Sequence, residues 1–107
     1  MISKYERIRM DLEKTGEGKM KCFGGSMTPI FPSSGCMMHY KKQDSYEVGD
    51  IVFCKVRGRY IDAHLITRKS EQGYLISNNH GHDNGWTRQI FGRVVKAEIG
   101  SNLKEFK

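Results

Sequence analysis

The sequence predicts a mainly β, antiparallel domain with a short N-terminal helix. Three observations predict it. Short runs of alternating polar and apolar residues recur from Lys19 onward, separated by clusters of Gly, Pro, Asn and Asp. Only the first dozen or so residues show helical periodicity. Apolar residues make up 37% of the 107 residues and charged residues 28%, a balance that suits one thin core between paired sheets or within a small barrel.

Residues 2–14 carry Tyr5, Ile8 and Leu12 at helical spacing with charges between them, and Thr15-Gly16-Glu17-Gly18 ends that helix. Alternation from Lys19 to Phe23 predicts a strand leading into Gly24-Gly25-Ser26. Pro29, Pro32 and Ser33-Ser34-Gly35 interrupt regular structure before a short strand over 36–40. Tyr46-Glu47-Val48-Gly49-Asp50 reads as a turn, and strands over 51–56 and 60–67 form a hairpin through Arg57-Gly58-Arg59. A strand over 73–77 precedes a polar loop over 78–85. The last strand covers 89–99 with a break at Gly92, and 100–107 reads as a polar tail. The expected organisation is a helix and turn over 1–18, a β domain over 19–99 and the tail, with no internal repeat.

Eighteen Lys and Arg against twelve Asp and Glu give a net charge of +6, which attracts an acidic protein partner by long-range steering. The positive residues are scattered rather than clustered with stacking aromatics, so nucleic-acid binding is the weakest functional class. No apolar run approaches the length of a membrane span and no signal-peptide stretch opens the chain, so a cytoplasmic protein without membrane contact is expected. Cys22, Cys36 and Cys54 are odd in number and lack CxxC spacing, so reduced, packed thiols are expected. No cofactor motif is present, and no cofactor is expected. Exposed edges of a small sheet leave a homodimer open.

Ser26 stands after two glycines and before Thr28-Pro29, in a sharp turn that keeps its hydroxyl accessible, as an attacking oxygen requires. An ordinary turn serine has the same surroundings. His64, in a strand-like run, offers a base.

The ordered series carries more weight than either residue. Gly25-Ser26-Met27-Thr28-Pro29, Val48-Gly49-Asp50-Ile51-Val52, Ala63-His64-Leu65-Ile66, Tyr74-Leu75-Ile76-Ser77-Asn78-Asn79 and Ile90-Phe91-Gly92-Arg93-Val94-Val95 follow one another in the chain. Over residues 19–97 this series resembles the peptidase domain shared by type I signal peptidases and LexA-like self-cleaving repressors. The resemblance implies a LexA/signal-peptidase-like β fold and a serine endopeptidase acting on an extended peptide or protein. It places the nucleophile at Ser26 and the general base at His64, as in the branch that uses His where other members use Lys. Histidine starts near ~6.5 and is usable as a base with little burial, whereas lysine at ~10.4 requires desolvation.

The same branch implicates an Asp after the Asn-Asn strand end, making Asp83 the candidate third member that orients the imidazole. Backbone N–H groups of Ser26 and Met27 are the candidate oxyanion donors, since the flanking glycines let a carbonyl approach. The chain departs from the family in three places. Neither a membrane anchor nor a helix-turn-helix domain is expected, and Cys36 follows Gly35 where relatives carry an acidic residue. A stand-alone peptidase core remains, of the kind small phage or mobile-element proteins carry. An inactive module on that fold, holding a protein partner as a regulator or inhibitor, is the alternative. His80-Gly81-His82-Asp83 has the residue types of a metal site without a recognised spacing and reads as a solvated loop, so no metal is expected. Lys69, the only nearby lysine that could substitute as base, lies three residues beyond Ile66 and reads as a solvated hairpin position, and Trp86 is placed at the core edge or in a peptide groove.

Overall fold

The computed structural model describes residues 2–106. Ser3 caps the one helix among them, α1 (Lys4–Thr15): its hydroxyl accepts the Glu6 N–H at 3.2 Å. Gly16 ends α1 with φ 81°, and its N–H donates to the Leu12 carbonyl. The helix buries Ile8 and Leu12, and two glycines in the sheet make room for them. A Cβ on Gly18 would meet Ile8 at 3.1 Å, and one on Gly92 would meet Leu12 at 3.1 Å.

The strands are β1 (Glu17–Cys22), β2 (Cys36–Lys41), β3 (Ile51–Val56), β4 (Arg59–Ser70), β5 (Gly73–Ser77), β6 (Asp83–Thr87), β7 (Gln89–Ile99) and β8 (Asn102–Glu105). They form one antiparallel sheet in the order β1-β2-β7-β3-β4-β5-β6, with β8 also on β7. The expected β domain with an N-terminal helix is therefore present. Three details differ from the sequence reading. β7 runs unbroken through Gly92, which serves helix docking rather than a strand break. The expected loop over 78–85 gives way to β6 from Asp83, because Trp86 and Thr87 pair with Leu75 and Tyr74 of β5. Part of the expected tail is β8, whose Leu103 and Lys104 pair with Glu98 and Ala97.

β3 separates two cores. Phe53 faces the larger one with Leu12, Met38, Phe91 and Val94, while Val52 and Cys54 face the smaller one with Ile66 and Ile76. Phe53 is fully buried, with the Phe91 ring centroid at 5.1 Å and that of Tyr40 at 5.7 Å. Such burial stabilises by roughly 1.5–3 kcal/mol per large side chain. The Thr87 hydroxyl donates to the Lys55 carbonyl at 2.6 Å and draws β6 back toward β3, so β3 to β6 curl around the smaller core.

One irregularity positions the site. Val52 pairs with His64 and Cys54 with Ile61, so Asp62 and Ala63 together oppose Phe53. This bulge changes which side of β4 faces which core: Ile61 packs on the smaller core, whereas Ala63 and Leu65 pack on the larger. All three cysteines are free and buried, and burial pushes the Cys22 and Cys54 thiols up to about 12. No helix among the described residues is long and apolar enough to cross a membrane.

Candidate active site

Ser26 lies in the loop between β1 and β2, half-buried, on a turn entered through Gly24 at φ 114°. The turn is closed by the Thr28 N–H and hydroxyl, which reach the Gly25 carbonyl at 3.2 and 2.8 Å. A second loop braces it. The Asn79 N–H donates to the Ser26 carbonyl at 2.9 Å, the Asn79 side-chain amide to the Thr28 carbonyl at 2.9 Å, and His80 Nε2 to the Gly25 carbonyl at 3.0 Å. Asn78 shapes that bracing loop by accepting the N–H groups of His80 and His82. Among the described residues, the N–H groups of Ser26 and Met27 have no protein acceptor. Two neighbouring free donors beside the hydroxyl are what an oxyanion site requires.

The Ser26 side chain borders a tight cleft of about 10 Å³ lined by apolar Cys22, Met27, Phe31 and Met38, with Asp62 and Ala63 along β4. His64 lies in an adjoining, wider groove of about 390 Å³, shared with Arg57, Arg59, Asp62, His82 and Asn84. Its Nδ1 is 2.7 Å from the Ala63 carbonyl. A carbonyl only accepts, so Nδ1 carries the hydrogen and the neutral ring keeps its lone pair on Nε2. Burial pulls the His64 pKa below its ordinary 6.5; the Ala63 contact and Asp62 oppose that shift, and His82 adds to it. The imidazole is therefore neutral, and competent as a base, at pH 7.

The bulge thus brings Ser26 and His64 to two recesses that share Asp62, without a hydrogen bond between them among the described residues. Asp83 is elsewhere. Its exposed carboxylate accepts the Ser77 hydroxyl at 2.6 Å, and Ser77 in turn is 2.8 Å from the Thr67 hydroxyl, a clasp across β4, β5 and β6. The Ala63 carbonyl occupies the position at Nδ1 that the third member of a triad would take.

Asp62 is the acidic residue that borders both recesses, and the sequence reading passes over it. The signal was its spacing two residues before His64, on the same strand. The histidines of the polar loop are divided: His80 braces the Ser26 turn and His82 lines the His64 groove. Lys69 pairs with Glu47 at 3.3 Å, and Trp86 is half-buried on β6 beside Arg68 and Gln72. Comparison with family models, curated proteins and solved structures gives no match.

Proposed function

We propose that this chain is a serine peptidase of the signal-peptidase and LexA-like type, with Ser26 as nucleophile and His64 as base. One observation carries the reading: a turn serine with two free backbone N–H groups borders the same Asp62 segment as a neutral imidazole whose Nε2 lone pair is uncommitted. In the reaction Ser26 Oγ attacks the scissile carbonyl and His64 Nε2 takes its proton. The N–H groups of Ser26 and Met27 hold the carbonyl oxygen as it becomes negative. His64 then returns the proton to the leaving amine, and water hydrolyses the acyl-enzyme. An extended substrate adds as a strand along a sheet edge.

A serine-directed phosphonate tests this reading. Labelling at Ser26 that disappears in His64→Ala supports the dyad; labelling that persists in that variant sinks it.

A second reading is favoured by the missing Ser26–His64 hydrogen bond: an inactive module of the same fold that holds a peptide or protein partner in the two recesses. Absence of Ser26 labelling together with a partner complex unaffected by Ser26→Ala selects it.

A further inference from the structure

The hairpin tip between β3 and β4 has an unusual residue at its turn. Arg57 and Gly58 are its central residues, with φ 51° and 79°. This is the geometry for which Asn-Gly or Gly-Gly is ordinarily selected, and a side chain with a long stem is disfavoured there. Arg57 is the one non-glycine residue with positive φ among those described. Its guanidinium lies over Gly85 of β6, where an added Cβ would meet Nε at 3.3 Å and Cζ at 3.6 Å. Gly85 leaves that space open, and the Arg57 head packed over it lines the groove. Arg59 borders the same groove from the start of β4. Among the described residues neither arginine has a carboxylate partner, although other cations of this chain do: Arg9 pairs with Glu13 and Lys69 with Glu47. The one carboxylate lining the groove, Asp62, stands on β4 two residues before His64 and pairs with neither arginine among the described residues.

The geometry points to a specificity site: Arg57 and Arg59 receive an acidic side chain of the substrate, close to the bond cleaved at Ser26. This inference rests on the peptidase reading for its substrate class. Two guanidiniums on a concave wall match a carboxylate in charge and in bidentate geometry. The net charge of +6 steers acidic segments toward that wall. Strain kept at Arg57, where glycine would be relaxed, agrees with a residue placed for contact rather than for the turn.

Cleavage of a proteome-derived peptide library, followed by mass spectrometry, tests it. The expected cut sites carry Asp or Glu within a few residues of the scissile bond. With matched peptides differing only by Glu or Gln at that position, the Glu/Gln turnover ratio falls about fivefold in Arg57→Gly/Arg59→Gln and in 0.5 M salt, the scale of a solvent-exposed ion pair. Arg57→Gly suits the turn, and Arg59→Gln alone serves as the second variant with a smaller fall. Ser26-dependent cleavage without acidic preference, or a preference unchanged in the variants, overturns the inference and leaves the peptidase reading intact. Absence of Ser26-dependent cleavage overturns the peptidase reading instead, and the groove is then judged by binding to Ser26→Ala protein. Tighter binding of an Ala-Glu repeat peptide than of its Ala-Gln counterpart, lost in Arg57→Gly/Arg59→Gln, supports the acidic site. Equal binding of the two peptides, or binding unaffected by the arginine substitutions, overturns it.

Discussion

The two recesses on either side of the Asp62–Ala63 bulge differ in almost every physical respect. The Ser26 cleft is tight and continues the larger core through Met27, Phe31 and Met38, with Asp62 along its edge. The His64 groove is wide and lined by arginines, histidines and an amide, with Val56 and Ile61 of the smaller core and Tyr60 of the larger among its lining. The difference teaches a division of labour. Burial of Met27 and Phe31 beside Ser26 fixes the tight side, whereas the wider side leaves Arg57, Arg59 and His82 facing solvent around a neutral His64. The bulge lets one strand serve both, since without it Ile61 and Ala63 would face the same core.

The largest expected effect breaks the comparison outright. Under the proposed dyad, Ser26→Ala or His64→Ala each lowers kcat/KM by roughly 10^4-fold or more, and the double variant costs little beyond either single one, as for residues that act as a unit. Additive losses would show that the recesses work independently. Phe53→Ala removes the residue that opposes the bulge and costs about 3–5 kcal/mol of stability, read by urea denaturation. Its effect on Ser26 labelling then reports whether the bulge holds the site together.

Ser77→Ala removes the clasp to Asp83 and costs about 1–2 kcal/mol in the same measurement. If the clasp is structural, neither Ser77→Ala nor Asp83→Asn moves the midpoint of the pH–rate profile. A shift toward lower pH in Asp83→Asn would return Asp83 to the role of orienting carboxylate.

The pH dependence sharpens the polar side. kcat/KM rises as His64 loses its proton, with a midpoint below 6.5, and Asp62→Asn moves that midpoint lower still because it removes an acidic neighbour that favours the imidazolium. The effect on stability has a definite sign. The folded-state pKa of His64 lies below its unfolded value of 6.5, so the unfolded chain binds the proton more readily. The His64 contribution is complete above 6.5 and is lost as pH falls from there toward the folded-state pKa. Thermal melts of wild type and His64→Gln across this window check it: the difference between them narrows or reverses toward acid. The smallest effect belongs to the hairpin tip, where Arg57→Gly relieves the positive φ, worth about 1–2 kcal/mol, less glycine's entropy cost of about 0.5–1 kcal/mol, for a net gain of about 0.5 kcal/mol.

Much of the architecture was legible in the residues. Ile8 and Leu12 mark the buried helix face by their spacing, the strand over 51–56 matches β3 to the residue, and 73–77 matches β5. β6 was not legible, because Asp83-Asn84-Gly85 has loop composition and is held extended by pairing with β5 and by the Thr87 contact to Lys55. β8 was missed for a similar reason: all four of its side chains are exposed, so no apolar pattern announces a strand that exists by pairing with β7.

The sequence by itself determined the local states and the chemical candidates. Alternation set most of the strands, Thr15-Gly16-Glu17-Gly18 set the end of the helix, and Ser26 and His64 were singled out by their order in a recognisable series. Only the tertiary structure decided which of these groups meet. A period-two reading places Ile61, Ala63 and Leu65 on one face, but the extra residue opposite Phe53 sends Ile61 to one core and Ala63 and Leu65 to the other. A bulge depends on the register of two strands, and neither strand encodes that register alone. That register put Asp62 at the border of both recesses, and the separate pairing of β5 with β6 set Asp83 opposite Ser77.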